Sequence, residues 1–255
     1  MTLSVIIIAK NAEATIRRCL ESVAWVDEIV VVESGSSDRT ADIGRELGAR
    51  VHQTDWPGYG QQKNRALDLS RGDWVFSIDA DEWVTAELRA EIERALAAPG
   101  DKAAFRMPRR SSFCGRFMRH GGWWPDYVAR LFRRGHARFS EDRGHDRLVV
   151  DGALGTLREP ILHETITDLE QLIDKMNVYS AMTARSLHER GRRASILTAI
   201  GHGGWAFLRT YILRLGFLDG REGLMLAISN AENSYYRYVK LMLLAEREKT
   251  ATRGP

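Results

Sequence analysis

Residues 3–9 (LSVIIIA) form an almost unbroken apolar, β-branched run. Such a run predicts a strand buried on both faces rather than one exposed on alternate positions. Residues 28–33 (EIVVVE) and 74–78 (WVFSI) repeat the pattern, and residues 50–54 give a shorter strand. Helical spacing fills the gaps at residues 12–23 and 61–70, and again after Thr85, where Leu88 and Ile92 lie one turn apart. Ser37 or Asp38 is expected to cap a further helix that ends before Gly48. Strand–helix alternation of this kind predicts an α/β domain built on a mainly parallel, Rossmann-like sheet with flanking helices. Ligands of such sheets sit beyond the carboxyl ends of the strands. Three polar clusters fall at those ends: Lys10–Asn11, residues 33–38 and residues 79–82.

Beyond residue 100 the pattern shortens. Strands are expected at residues 105–108, 127–132, 137–139, 147–150 and 161–163. From Thr167 the chain reads as helical, with Thr167 and Glu170 spaced as a capping box. Further helices are expected over residues 195–215 and 222–248, and a loose tail from residue 250. The expected division is a catalytic domain over residues 1–165 and a helical C-terminal region over residues 166–255.

With 255 residues the chain can bury a sizeable core. Its two cysteines, Cys19 and Cys114, exclude a disulfide framework and a cysteine-based zinc site, and fit reduced thiols in the cytoplasm. The sequence predicts no signal peptide, and no segment has the roughly 20 apolar residues of a membrane span. Net charge is only +3, but residues 106–147 hold eleven arginines against four acidic residues. That stretch suits an anionic partner, or an ordinary solvated surface. It carries no nucleic-acid-binding motif, and no nucleic acid is expected.

The sharpest chemical feature is the end of the fourth strand, where three carboxylates, Asp79, Asp81 and Glu82, fall within four residues. Their mutual repulsion would be relieved by a divalent cation, and Mg²⁺ or Mn²⁺ takes one or two carboxylates together with phosphate oxygens. Acidic residues favouring a helix dipole give a similar pattern. The segment VVVESGSSDRT (residues 30–40) is neither a P-loop nor a dinucleotide fingerprint, which excludes the P-loop ATPases and the usual NAD enzymes. Its loop could receive a nucleobase and ribose, or serve only to start a helix.

Lys10–Asn11, VVVESGSSDRT, Gln62–Lys63–Asn64 and SIDADE occur in order. Together they resemble the inverting family 2 glycosyltransferases of GT-A fold. The later segments RHGGWWPD (residues 119–126), ARLFRRG (129–135) and GFLDG (216–220) are similar to lipopolysaccharide core glycosyltransferases of the WaaE/KdtX type. The resemblance implies transfer of a sugar, often glucose from a UDP donor, to an inner-core acceptor, with Mg²⁺ or Mn²⁺ as cofactor. It assigns the metal to Asp81, with Asp79 meeting the ribose, or the metal through water, and His163 a further metal or diphosphate contact. Lys10, Asn11, Glu33, Ser34, Asp38, Lys63, Asn64, Ala80 and Arg130 are expected around the nucleotide sugar. Arg133 is a second candidate for a phosphate contact. Relatives usually have aspartate where Glu33 stands, a departure that moves the carboxylate by one methylene.

An inverting transfer needs a base beside the acceptor hydroxyl. In the resembling proteins a His-Glu pair often occupies the position of His145–Asp146, which points to Asp146; Glu141, Asp142 and Asp126 compete with it. Trp123 and Trp124 suit either sugar stacking or simple packing. The segment Trp205, Phe207, Leu208, Tyr211, Ile212 and Leu215, with Arg209 and Arg214, suits a helix resting on the cytoplasmic face of the inner membrane, or a core helix. A polyprenyl-phosphate sugar synthase and a basic nucleic-acid-binding protein are the alternative readings.

Overall fold

A computed structural model describes residues 1–141 and 147–252. The chain divides into two compact units: Met1–Arg110 with Asp126–His163, and Ser111–Pro125 with Glu164–Pro255. The expected single boundary near residue 165 does not anticipate that Ser111–Pro125 groups with the C-terminal helices.

The first unit opens as the hydrophobic pattern predicts. It runs β1 (Leu3–Ala9), α1 (Glu13–Ser22), β2 (Glu28–Glu33), α2 (Thr40–Glu46), β3 (Arg50–Gln53), α3 (Tyr59–Leu69), β4 (Trp74–Ser77), β5 (Glu82–Trp83) and α4 (Ala86–Ala97). Then come β6 (Lys102–Phe113), whose last residues pass into the second unit together with β7 (Arg116–Phe117), and, back in the first unit, β8 (Asp126–Arg133), β9 (Ala137–Phe139), β10 (Leu148–Val150), β11 (Ala153–Thr156) and the start of β12 (Ile161–Ile166). Sheet order is β3-β2-β1-β4-β8-β6-β12-β5. Pairing is parallel from β3 through β4, and β8 adds antiparallel to β4.

Both faces of this sheet are covered, which is why its strands read as continuous apolar runs. Val5 and Ile7 join Ile16 and Leu20 of α1 and Leu88 and Ile92 of α4 on one face. Ile6, Val30 and Val32 join Ala66 and Leu67 of α3 on the other. Alternate residues of β4 separate the same way, Trp74 and Phe76 to one side and Val75 to the other. Each such side chain contributes about 1.5–3 kcal/mol by leaving water.

Several local expectations change. The N-cap of α2 is Arg39, without a side-chain cap. Asp38 instead accepts the amides of Glu13 and Thr40, both at 3.0 Å, and so joins the starts of α1 and α2. α4 starts at Thr85 as expected, the Thr85 hydroxyl accepting from the Leu88 amide. β6 runs on well past Pro108, helped by a register shift at Phe105–Arg106, and β11 lies beside it in parallel.

The second unit holds α5 (Leu169–Glu189), α6 (Ile196–Leu208), a π-helical turn (Arg209–Leu213), a 3₁₀ turn (Gly216–Asp219) and α7 (Gly220–Thr252). Asp168, not Thr167, caps α5, accepting from the Gln171 amide at 2.7 Å; a carboxylate also favours the helix dipole. The helix expected over residues 195–215 gives way to the π turn after Leu208, and α7 continues through Thr252, past the start of the expected loose tail; residues 253–255 lie outside the described residues. Phe113, Met118, Ile166 and Leu226 form a small core, against which Trp123 packs edge-on to Phe113. Buried Asp219 accepts the amides of Arg119 (3.0 Å) and His120 (2.7 Å). The Lys240 ammonium ties α7 to α5 through three bonds to Asn177 and Ser180.

Candidate functional site

The parallel register places the ends of β1 and β2 side by side, while β4 ends at Ser77 opposite Ile6, short of the end of β1. β4 stops because the chain turns at Asp79–Ala80–Asp81 before Glu82 pairs with His163 across β5 and β12. Three acidic side chains emerge from that turn, and each has a different fate.

Glu82 is fully buried. One of its oxygens accepts the Asp79 amide at 2.9 Å and the other accepts from Arg130 at 2.7 Å, with Arg109 at 3.7 Å. Burial pushes the Glu82 carboxyl up, against the pull of Arg130. Asp79 is held between two cations, Lys63 at 3.0 Å on one oxygen and Arg130 on the other. Burial opposes its charge, but Arg130 and Lys63 outweigh it and hold the carboxyl well below the usual range. Burial likewise disfavours the Arg130 guanidinium, and Asp79 and Glu82 more than restore its charge. Arg130 is therefore a buried bridge between the two acids. Asp81 is the outermost of the three, 41% exposed, with the His163 Nε2 atom 3.4 Å from its carboxylate.

Among the described residues no group of three or more His, Cys, Asp or Glu side chains is arranged to hold a metal by itself. Asp81 and His163 do converge, oxygen and imidazole nitrogen, at a separation and exposure that suit a cation completed by substrate phosphates. They fit such an ion as a partial site. Asp79 differs, since both of its oxygens already face protein cations.

The other expected nucleotide contacts are largely woven into the scaffold. Buried Glu33 accepts the Ser36 amide and the Gln53 side chain at 3.2 Å. Burial raises its carboxyl, yet the bonds from Ser36 and Gln53 bring it below its ordinary value. Ser34 accepts from Gln62 at 2.8 Å. Asn11, at φ 48°, bonds the Ser37 amide through its side chain at 2.9 Å and donates its own amide to Ser36. Together with Asp38 these contacts knit the first two strand–helix turns into one rim. Asn64 forms a two-way bond with the Phe139 backbone, both arms 2.9 Å. Ala80 is buried within the acidic turn, and Lys10 lies exposed at the end of β1.

Many arginines of the basic stretch also have internal partners. Arg109 grips Asp126 with two bonds, 2.7 and 3.0 Å, which occupies one candidate base. Arg133 donates to the Lys102 carbonyl and lies over the Trp74 ring, and Arg138 pairs with Asp68. Glu141 accepts from Gln61 at 3.3 Å. Asp142 and Asp146, together with His145, lie outside the described residues. Residue spacing alone did not reveal the bridging role of Arg130 or the burial of Glu82. The one signal was the crowding of three acids, which demanded cations from elsewhere in the chain.

The family model for glycosyl transferase family 2 matches residues 4–165. A lipopolysaccharide core biosynthesis glycosyltransferase, LpsC, from Rhizobium meliloti (strain 1021) is 32% identical, over 93% of this chain and 93% of its own. An uncharacterized glycosyltransferase of Rickettsia bellii (strain RML369-C) is also 32% identical, over 99% of this chain and 90% of its own. Among solved structures, S. aureus TarS 1–349 aligns with a TM-score of 0.49 and 17% identity, covering 97% of this chain and 92% of that one. Glucosyl-3-phosphoglycerate synthase from Mycobacterium tuberculosis, crystallised with Mn²⁺, UDP and glucosyl-3-phosphoglycerate, aligns with a TM-score of 0.37 and 30% identity, covering 45% and 44%.

Proposed function

The chain belongs to glycosyl transferase family 2, and from that premise we propose that it moves a sugar from a nucleotide diphosphate donor to a hydroxyl of a lipopolysaccharide core acceptor. The observation that carries the reading is the acidic turn after β4, where Lys63 and Arg130 fix Asp79 while Asp81 and His163 stand together at its outer edge. The likeness to LpsC along nearly the whole of both chains supports the acceptor class. Glucose and UDP are the expected sugar and nucleotide.

In this reading Asp81 and His163 would hold Mg²⁺ or Mn²⁺ beside the donor diphosphate. The ion, when bound, offsets negative charge developing on the leaving diphosphate. Asp79 presents a fixed carboxylate to the ribose, since Lys63 and Arg130 prevent it from turning. The rim built by Asn11, Glu33 and Asp38 shapes the opening for the base. Asp146 takes the proton of the acceptor hydroxyl as its oxygen forms a bond to the anomeric carbon. The bond from that carbon to the diphosphate breaks on the opposite face, its electron pair leaves with the diphosphate, and configuration inverts. A lipid-anchored acceptor would place the reaction at the cytoplasmic face of the inner membrane.

The test is UDP release from UDP-glucose by the purified chain, with Mn²⁺ and a truncated core acceptor, and the anomeric configuration of the product by NMR. The expected product has the configuration opposite to the donor, and Asp81→Ala abolishes its formation. Near-normal turnover by Asp81→Ala, or retention at the anomeric carbon, contradicts the reading.

A further inference from the structure

Helix α6 packs its small residues inward and presents its large ones to solvent. Its thirteen residues, Ile196–Leu208, include no Asp, Glu, Lys or Arg. Its buried positions are Ala199 and Gly203, and Thr210 continues that side in the π turn. A Cβ on Gly203 would stand 3.3 Å from the Ala231 carbonyl oxygen and from the Tyr235 Cβ, so this side is seated closely on α7. Leu197 is 75% exposed, Ile200 56% and Trp205 53%, and Leu208 and Ile212 are exposed as well. At 3.6 residues per turn, Leu197, Ile200, Trp205 and Leu208 fall within an arc of about 140°, with Ala199 and Gly203 opposite. A contiguous apolar stripe facing water marks a contact surface rather than a resting surface.

The charges around the stripe indicate what it meets. From residue 190 to residue 221 the exposed charged side chains are all arginines, among them Arg190, Arg192, Arg209 and Arg214, while Arg193 is paired at 2.9 Å with Glu248 of α7. The one acid in that range, Asp219, is buried against Arg119 and His120. A second copy docking by two-fold symmetry would set the same arginine rim against itself, which like charges oppose. A surface of phosphate headgroups above acyl chains matches both features. No helix among the described residues is long and apolar enough to cross a membrane, so the contact is lateral.

We propose that the outward face of α6 and the π turn after it docks on an anionic lipid bilayer, with the apolar stripe at the acyl boundary and the arginines at the phosphates. The proposal goes beyond the transfer reading. Its test needs neither sugar nucleotide nor acceptor, so its failure would leave that reading standing.

The full chain is sedimented with vesicles of phosphatidylcholine, with and without phosphatidylglycerol, at low and high salt. Binding is expected to the phosphatidylglycerol vesicles and to weaken with salt. Leu197→Glu with Leu208→Glu should lower partitioning about tenfold or more. Arg190→Gln with Arg209→Gln should lower it by about tenfold on anionic vesicles only. Val149→Glu, at an exposed apolar position on β10, should bind as wild type. Matching circular dichroism melts show that the variants are folded. The proposal is overturned if wild type stays in the supernatant with anionic vesicles, or if the stripe variant sediments unchanged. It is equally overturned if light scattering shows a dimer that the stripe variant splits.

Discussion

Replacing Arg130 with methionine removes the cation that joins Asp79 to Glu82. Asp79 keeps Lys63 at 3.0 Å. Glu82 fares worse: it has no exposure and is left with the Asp79 amide at 2.9 Å and Arg109 at 3.7 Å. Removing one partner of a buried ion pair costs about 3–5 kcal/mol, because the remaining charge is stranded. A second route gives a similar figure, since two bonds to charged groups at about 1.5–3 kcal/mol each are lost. For a chain of this size the apparent thermal midpoint should fall by about 6–20 °C. Urea unfolding of wild type, Arg130→Met and Arg130→Met with Glu82→Gln gives the assay. Neutralising Glu82 removes the stranded charge, so the double variant should recover more than half of the loss. A single-variant loss below about 1 kcal/mol, or a double variant no more stable than the single, would refute the bridging role assigned to Arg130.

Three further outcomes follow from particular contacts. Gly60→Ala would place a Cβ 1.9 Å from the Ser140 carbonyl oxygen, so α3 or the strand end after β9 must shift, at about 1–3 kcal/mol in urea unfolding; unchanged stability would contradict that close approach. Glu28 accepts from Ser4 and the Arg71 amide and pairs with Arg50; burial raises its carboxyl, and these bonds outweigh burial and lower it. A lowered folded value means that its stabilisation is full above the unfolded value of about 4.3 and is lost as pH falls through the folded one. The stability gap between wild type and Glu28→Gln should therefore be flat near neutral pH and shrink in acid, and a gap that widens in acid would reverse the sign. His163→Ala should weaken Mn²⁺ binding in the presence of UDP by about tenfold or more, read by calorimetry; wild-type affinity would remove His163 from the ion.

The parallel half of the sheet was legible because its strands are buried on both faces. LSVIIIA and EIVVVE match β1 and β2 residue for residue, since apolar residues on alternate sides serve two different packing clusters. β11, with the sequence ALGT, has little strand character and is held by its neighbour β6. The strand expected over residues 105–108 is only the middle of β6, which pairing with β8 across a register shift carries through Pro108. The helix starts at Asp38 and Thr167 failed for a related reason. A polar side chain has several amides within reach, and spacing does not say which one it takes.

The candidate site divides along the same line. Clustering of acids after β4 was visible because three carboxylates adjoin in sequence. The fate of each depends on Lys63, Arg130 and His163, which lie between 16 and 82 residues away along the chain and are brought in by α3, β8 and β12. Asn64 shows the converse. It adjoins Lys63 in the Gln62–Lys63–Asn64 segment, yet it binds the Phe139 backbone rather than facing the acidic turn. Motif membership located the neighbourhood, and only the fold assigned the partners.

The most direct measurement is anomalous diffraction at the manganese edge from crystals soaked with UDP and Mn²⁺. One strong peak is expected within about 2–2.3 Å of an Asp81 oxygen and of the His163 imidazole, while Asp79 keeps Lys63 and Arg130. A peak that bypasses Asp81, or a bound UDP with no ion beside it, would contradict an ion site at Asp81 and His163.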